Sequence, residues 1–547
     1  SAVAWLLDVL RRWLAEERLA GSRLVVLTRG AVAAQEGETP SPALAALCGL
    51  MRVAAAEHPG RVMLADLDDA PESWRALGSV PGHDEPQLAI RAGRIRRPRL
   101  VRAAPPEAAP RPLADGGTVL ITGGTGTLGT AVAEHLVTRY GVRHLLLVSR
   151  RGPRAEDTWK LTARLAELGA EATVLACDTA DRDAIEGVLA QIPAEHPLTG
   201  VVHAAGALDD GTLDTLTPER FERVMRAKTY GAWHLHELTR ERDLAMFVLF
   251  SSAAGLLGNP GQANYAAGCA YADALAEYRR AAGLPAASIA WGLWETRSGL
   301  TAGLGDADVA RMRRRFGIAA MSSDDGLALF DAAYGTDRAV TMAARLDPAA
   351  LRTSTDLPAI LSGLAPAVRG GPEPVASPAD LADRLAAMAP GEAEQALSDL
   401  VCAQVAAVLG HARPQAVDPG KAFSELGFDS LTAVELRNRL TAATGVRLPA
   451  TLAFDHPTAA ALAAHLCDRL VPDRDAAAPI LAEIERLSET VSSAGVDDEG
   501  RAAIAERLAR LLRDVGGAEE STGVSDELDA ASDDEVFDFI GREFGIS

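Results

Sequence analysis

Aromatic side chains are scarce in this chain of 547 residues: they make up 4% of it, against 48% hydrophobic residues in all. Its cores must therefore be built mainly from Ala, Leu and Val. Cysteine is equally thin. Cys48, Cys177, Cys269, Cys402 and Cys467 are scattered, odd in number and without metal-ligand spacing. They offer neither a disulfide framework nor a zinc module, and they point to a reducing cytoplasm. Basic residues are outnumbered 54 to 75, for a net charge of −21. That argues against nucleic acid or anionic membrane as a partner and for acidic docking surfaces. No uninterrupted apolar run has spanning length, and no secretory signal is evident. What remains is a soluble protein of about three or four domains.

Residues 1–103 alternate helix-like and strand-like segments, with Leu24–Leu27 and Val62–Leu64 as buried strands and 86–101 as short extended pieces around a glycine turn. No glycine-rich loop follows either strand, so this is α/β architecture without a phosphate cradle. The chain opens inside an amphipathic pattern, Trp5, Val9 and Trp13 being four apart, and is expected to be a piece of a longer polypeptide. A linker rich in Pro and Ala covers 103–117. From Thr118 strands and helices alternate, which predicts a doubly wound parallel sheet within a unit spanning 113–361. A second linker, 362–379, carries Pro366, Gly370, Gly371, Pro372 and Pro374, and a small helical domain is expected over 380–470. The tail, 474–547, shows an apolar stripe at Ile480, Ile484 and Leu487 and another at Ile504, Leu508, Leu511, Leu512 and Val515. Ser532-Asp533-Asp534-Glu535 reads as the capping box of a last helix. Such short helices have too little core to stand alone and are expected to associate with other chains.

The first chemical signal is Thr122-Gly123-Gly124-Thr125-Gly126-Thr127-Leu128-Gly129, which follows a strand and opens a helix. Glycines there let backbone amides approach a pyrophosphate, whose charge the helix N-terminus favours. The next strand, Leu145–Val148, ends in Ser149-Arg150-Arg151. A basic rather than acidic residue at that place suits the 2′-phosphate of NADPH. Asp178, at the end of the strand Thr173–Ala176, is placed to meet the adenine or simply to cap a surface turn.

Together with that loop, His203-Ala204-Ala205-Gly206, Leu249-Phe250-Ser251-Ser252, Gly261-Gln262-Ala263-Asn264-Tyr265 and Trp291-Gly292-Leu293-Trp294 resemble the ketoreductase domain of modular type I polyketide synthases, within the short-chain dehydrogenase/reductase superfamily. The resemblance implies a Rossmann catalytic subdomain at 113–361, with 1–103 as the C-terminal part of a non-catalytic structural subdomain. Ketone reduction needs hydride at carbon and a proton at the developing alkoxide. Tyr265 is then the acid, Ser252 a second hydrogen bond to the same oxygen, and Lys228 the cation that makes the phenol's proton mobile. Ala204, Ala205 and Gly206 fall on the cofactor side, and Lys228 could also reach the ribose. Leu208-Asp209-Asp210 is similar to the fingerprint of B-type ketoreductases, which give the D-configured β-hydroxyl. Leu257 stands where the opposite type has Trp, and Ala267 where a proline accompanies reduction of an epimerised α-substituent. One departure stands out. Cys269 replaces the Asn usual four residues after the tyrosine, which leaves a second reading open: a carrier and docking scaffold whose ketoreductase is inactive or impaired.

Leu426-Gly427-Phe428-Asp429-Ser430-Leu431 and Phe454-Asp455-His456-Pro457-Thr458 resemble the acyl carrier proteins of the same synthases. That resemblance implies 4′-phosphopantetheine on Ser430, installed by a phosphopantetheinyl transferase, with the β-ketoacyl substrate tethered to it. The tail resembles C-terminal docking segments, which implies a homodimer and handover to a downstream synthase polypeptide through the acidic Asp526–Glu535 region. Upstream ketosynthase and acyltransferase domains are expected on the same grounds.

Overall fold

The computed structural model describes residues 2–104, 112–114, 116–354, 357–364, 378–409, 411, 413–449 and 451–470, with isolated positions 504, 507, 508 and 510. The chain divides into Ser1–Val471 and Pro472–Ser547. Apart from those four positions, the expected docking helices lie outside the described residues, as does most of both linkers.

The first hundred residues form a four-stranded sheet in the order β1 (Leu24–Arg29), β2 (Val62–Leu67), β3 (Gln87–Arg91) and β4 (Arg94–Arg96). The first three run parallel and the last pairs antiparallel. All six residues of β2 are buried, as expected of a central strand covered on both faces.

A second sheet holds seven parallel strands. Its chain order is β5 (Thr118–Thr122), β6 (His144–Ser149), β7 (Glu171–Ala176), β8 (Leu198–His203), β9 (Met246–Ser252), β10 (Ala287–Trp291) and, after the short β11 (Ile318–Ala319), β12 (Val340–Ala343). Their spatial order is β12-β10-β9-β8-β5-β6-β7. A last short strand, β13 (Arg345–Leu346), pairs antiparallel with β11. Strand order reverses between β5 and β8, and the carboxyl ends beside such a switch point are where α/β sheets bind ligands. The expected doubly wound sheet is present.

The two sheets are joined by helices that come unusually close. The helix Pro42–Glu57 lies against the helix Ala263–Ala281, and a Cβ on Gly49 would sit 2.2 Å from the Ala266 carbonyl oxygen. Buried Ala46, Ala263, Ala266 and Ala267 line the same contact. The poverty in aromatics has its use here, because small side chains let the first subdomain brace the helix that carries Tyr265. Arg52 adds a clip, donating to the Gly255 carbonyl at 2.8 Å and to Gln87 at 2.7 Å.

The carrier region comprises helices Pro378–Ala387, Pro390–Leu409, Ser430–Thr444, Leu452–Asp455 and Ala459–Leu470. Leu397, Val401, Val405, Leu436, Leu440, Leu462 and Leu466 form its core. None of the described helices is long and apolar enough to cross a membrane.

Candidate active site and carrier attachment site

The glycine turn between β5 and the helix Thr127–Tyr140 is built for close approach. Gly123 has φ +68°, and a Cβ there would lie 2.9 Å from the Ala204 carbonyl carbon. A Cβ on Gly129 would meet the Gly123 carbonyl oxygen at 2.3 Å. Only glycine allows the helix to start this near the turn, which leaves a cradle at the helix N-terminus fit for a pyrophosphate. Thr122 ties the turn inward through its hydroxyl, 2.7 Å from His203 Nδ1, and through Ala204 N, which donates to its carbonyl at 3.1 Å. Burial holds the His203 pKa down at about 3, so the ring is neutral. On the neighbouring strand Ser149 accepts from Gly152 N at 3.0 Å, while Arg150 and Arg151 are exposed at the same sheet edge. Asp178 accepts from Ala180 N at 3.0 Å in its own turn and lies 3.9 Å from Arg226. Of the residues expected to hold NADPH, Leu128, Ala204, Gly206 and Lys228 line one cavity, while Ser149, Arg150, Arg151 and Asp178 stand at or just past the carboxyl ends of β6 and β7. Backbone amides at a helix start and two arginines are donors that fit a dinucleotide with an extra phosphate.

Lys228, Ser252 and Tyr265 converge on that cavity, although they come from three elements. Tyr265 opens the helix Ala263–Ala281, Ser252 ends β9, and Lys228 lies in a π-helical turn, Arg226–Tyr230. Ser252 Oγ accepts from Ala254 N at 3.2 Å and so caps the next helix. Lys228 is buried; its Nζ donates to the Phe250 carbonyl at 2.8 Å and sits 4.9 Å from the centre of the Tyr265 ring. Burial raises the Tyr265 pKa above its ordinary value, against the opposing charge of Lys228 and the Ser252 hydroxyl. For Lys228 burial works against the charge, but Tyr265, Cys269 and Asp273 together carry its pKa upward. Both groups therefore hold their protons at neutral pH.

Cys269 is fully buried behind this pair, and burial pushes its thiol up to about 11. A Cβ on Gly255 would lie 2.5 Å from Cys269 Cβ, so helix Ala253–Leu257 packs directly over it.

The loop after β8 is bound to the tyrosine segment by groups whose connections local sequence does not disclose. Gln262 donates to Asp210 at 2.8 Å. Asn264 donates to the Asp209 carbonyl and accepts from Tyr265 N, each at 2.8 Å. Asp209 pairs with Arg220 at 2.7 Å and with Arg223 at 2.8 Å. Beneath both segments sits Glu57, the last residue of a helix in the other subdomain. It is 1% exposed, and its carboxylate accepts from Leu213 N at 2.9 Å and Gly261 N at 2.8 Å. Burial pushes its pKa up to about 7, against those two amides. Gln262 and Asn264 sit in the motif noted above. Glu57 carried no signal, because its partners are 156 and 204 residues away.

Leu208, Asp210, Lys228, Ser252, Leu257 and Tyr265 all line one cavity of about 520 Å³. Asp429, Ser430 and Leu431 line it too. Ser430 is the first residue of its helix; Asp429 caps that helix, accepting from Leu431 N at 3.1 Å and Thr432 N at 2.8 Å. The serine is exposed.

Fold and site together define a dinucleotide-dependent reductase of the Rossmann class with a carrier at its mouth. Comparison with known proteins agrees. The "KR domain" family model matches residues 117–296, the "Polyketide synthase extender module SpnB, Rossmann fold domain" model residues 1–100, and the "Phosphopantetheine attachment site" model residues 399–466. Polyketide synthase GfsA of Streptomyces halstedii is 48% identical over 98% of this chain and 7% of its own length. Spectinabilin polyketide synthase system protein NorA' of Streptomyces orinoci is 54% identical over 86% of this chain and 13% of its own. The chain thus spans a small fraction of these relatives. Among solved structures, an A1-type ketoreductase superposes with a TM-score of 0.60 at 39% identity, covering 66% of this chain and 77% of that one. A structure of A-type ketoreductases from a modular polyketide synthase gives 0.57 at 41% identity, covering 63% and 74%.

The chain belongs to the modular polyketide synthase family, as a piece holding a ketoreductase and its acyl carrier. Its ketoreductase is an NADPH-dependent β-ketoacyl reductase, and its carrier takes covalent 4′-phosphopantetheine.

Proposed function

We propose that this chain reduces a β-ketoacyl thioester, tethered through phosphopantetheine to Ser430, to the D-configured β-hydroxyacyl thioester, without epimerisation, during modular polyketide assembly. The observation carrying this reading is the single cavity lined by Tyr265, Ser252, Lys228 and Ser430. NADPH, when bound, supplies the hydride. Gly123, Gly124, Gly126 and Gly129 would receive its pyrophosphate, and Arg150 and Arg151 its 2′-phosphate. Thr122, Thr125, Thr127, Leu128, Ala204, Ala205 and Gly206 would line its path, with Asp178 at the adenine end. Tyr265, protonated at rest, gives its proton to the developing alkoxide, and Ser252 steadies the same oxygen by a hydrogen bond. The Lys228 charge, held beside the ring, then favours the tyrosinate left behind.

Leu208, Asp209, Asp210 and Leu257 would set the face presented to the cofactor. The ties from Gln262 and Asn264 support that role, because they fix the aspartates relative to Tyr265. On this reading the divisions are 1–103 structural subdomain, 113–361 catalytic subdomain, 362–379 linker, 380–470 carrier and 474–547 docking region. Upstream ketosynthase and acyltransferase domains would supply the β-ketoacyl chain. The docking region would pair two copies and pass the product to the next polypeptide. The test is NADPH-dependent reduction of a 2-methyl-3-ketoacyl thioester followed by chiral analysis. The D-hydroxyl with the α-centre unchanged is expected; an L-hydroxyl would overturn the stereochemical part. No turnover by folded, NADPH-binding protein, restored in Cys269→Asn, would favour the scaffold reading.

A further inference from the structure

Ser430, Val434, Arg437 and Asn438 lie four, seven and eight residues along one face of the carrier helix Ser430–Thr444. Ser430, Val434 and Asn438 line the catalytic cavity, and the face continues onto the end of the helix Pro42–Glu57. The last carbonyls of a helix lack partners within it, and its dipole favours a cation there. Arg437, 6% exposed, donates Nη2 to the Glu57 carbonyl. Asn438 Nδ2 approaches the Ala56 and Glu57 carbonyls at 3.3 Å each, and its Oδ1 accepts from Arg437 at 2.7 Å, which locks the two side chains together.

We propose that the C-terminal end of the helix Pro42–Glu57 is the seat on which the ketoreductase receives its own carrier during reduction, with Arg437 and Asn438 as the reading residues. Three further contacts surround the seat. Arg447 donates to the Ala20 carbonyl, Arg314 donates to the Ala407 carbonyl at 3.1 Å, and Leu431 lies 3.7 Å from where a side chain on Gly261 would begin. The carrier thus touches both subdomains. The seat adjoins the cavity: the residue whose carbonyl Arg437 takes is the one whose carboxylate holds Leu213 and Gly261, and Gly261 lines the cavity. A carrier bound here delivers its arm beside the loop whose geometry decides the reaction.

The inference rests on Ser430 carrying the substrate, so its test separates the two. The full chain, loaded on Ser430 with a β-ketoacyl phosphopantetheine, is mixed with NADPH, and single-turnover reduction is followed by intact mass. The same protein is assayed on a diffusible N-acetylcysteamine β-ketoacyl thioester. Arg437→Glu should slow the tethered reaction by about tenfold or more and leave the free one within about twofold, with Arg437→Lys between the two. Equal slowing of both reactions, or none of the tethered one, would overturn the seat. Hydrogen exchange needs no turnover. Amides of 56–61 and 431–440 should lose protection in Arg437→Glu but not in Ser430→Ala, and unchanged protection would also overturn it. Failure of unmutated protein to reduce either thioester would instead strike at the proposed function.

Discussion

Glu57→Gln tests how the two subdomains share the active site. The carboxylate is buried and accepts one backbone N–H on each oxygen. A glutamine must turn its NH2 toward one of those donors, which leaves a buried amide unpaired at a cost of about 1–3 kcal/mol. Charge works the other way. Burial lifts the pKa from 4.5 to about 7, equivalent to ~3 kcal/mol. Between those two values the folded state keeps a proton that the unfolded chain has released, so this group makes stability fall as pH rises through the window, then level off. The variant has nothing to titrate. Its stability relative to unmutated protein should therefore improve by ~3 kcal/mol between about pH 4.5 and 7, read by urea unfolding at a series of pH values. A stability gap constant across that range would refute the reasoning. The free-thioester kcat should fall by about tenfold, because Gly261 and Leu213 lose a shared anchor.

Other expectations are narrower. Tyr265→Phe should lower kcat by about 10²–10⁴-fold while NADPH still binds, as cofactor fluorescence would report. Gly129→Ala sets a Cβ 2.3 Å from a backbone carbonyl that cannot retreat; NADPH KM should rise at least about tenfold. Asn264→Ala removes a buried tie to the Asp209 carbonyl and another to Tyr265 N. It should cost about 2–4 kcal/mol of stability and mix the configuration of the product, which chiral chromatography would measure.

The parts legible in the sequence were those whose chemistry is local. The glycine turn, Ser252 at a strand end, Tyr265 at a helix start and Ser430 after its capping Asp429 each announce themselves within a few residues. The parallel sheet followed from alternating strands and helices. What escaped notice depends on contacts between distant segments. Glu57 reads as the polar end of an alanine-rich helix until Leu213 and Gly261 fold onto it. Gly49 looks incidental until Ala266 lies against it. Arg437 carries no local sign that its guanidinium meets the Glu57 carbonyl, 380 residues away.

The central claim is that the arm on Ser430 feeds the pocket of Tyr265. The direct measurement is intact-protein mass spectrometry of the full chain after transfer of a β-ketoacyl phosphopantetheine and a single turnover with NADPH. The account predicts an acyl group on Ser430 that gains two hydrogens in unmutated protein and none in Tyr265→Phe. An acyl group that stays unreduced while the free thioester is turned over would contradict it.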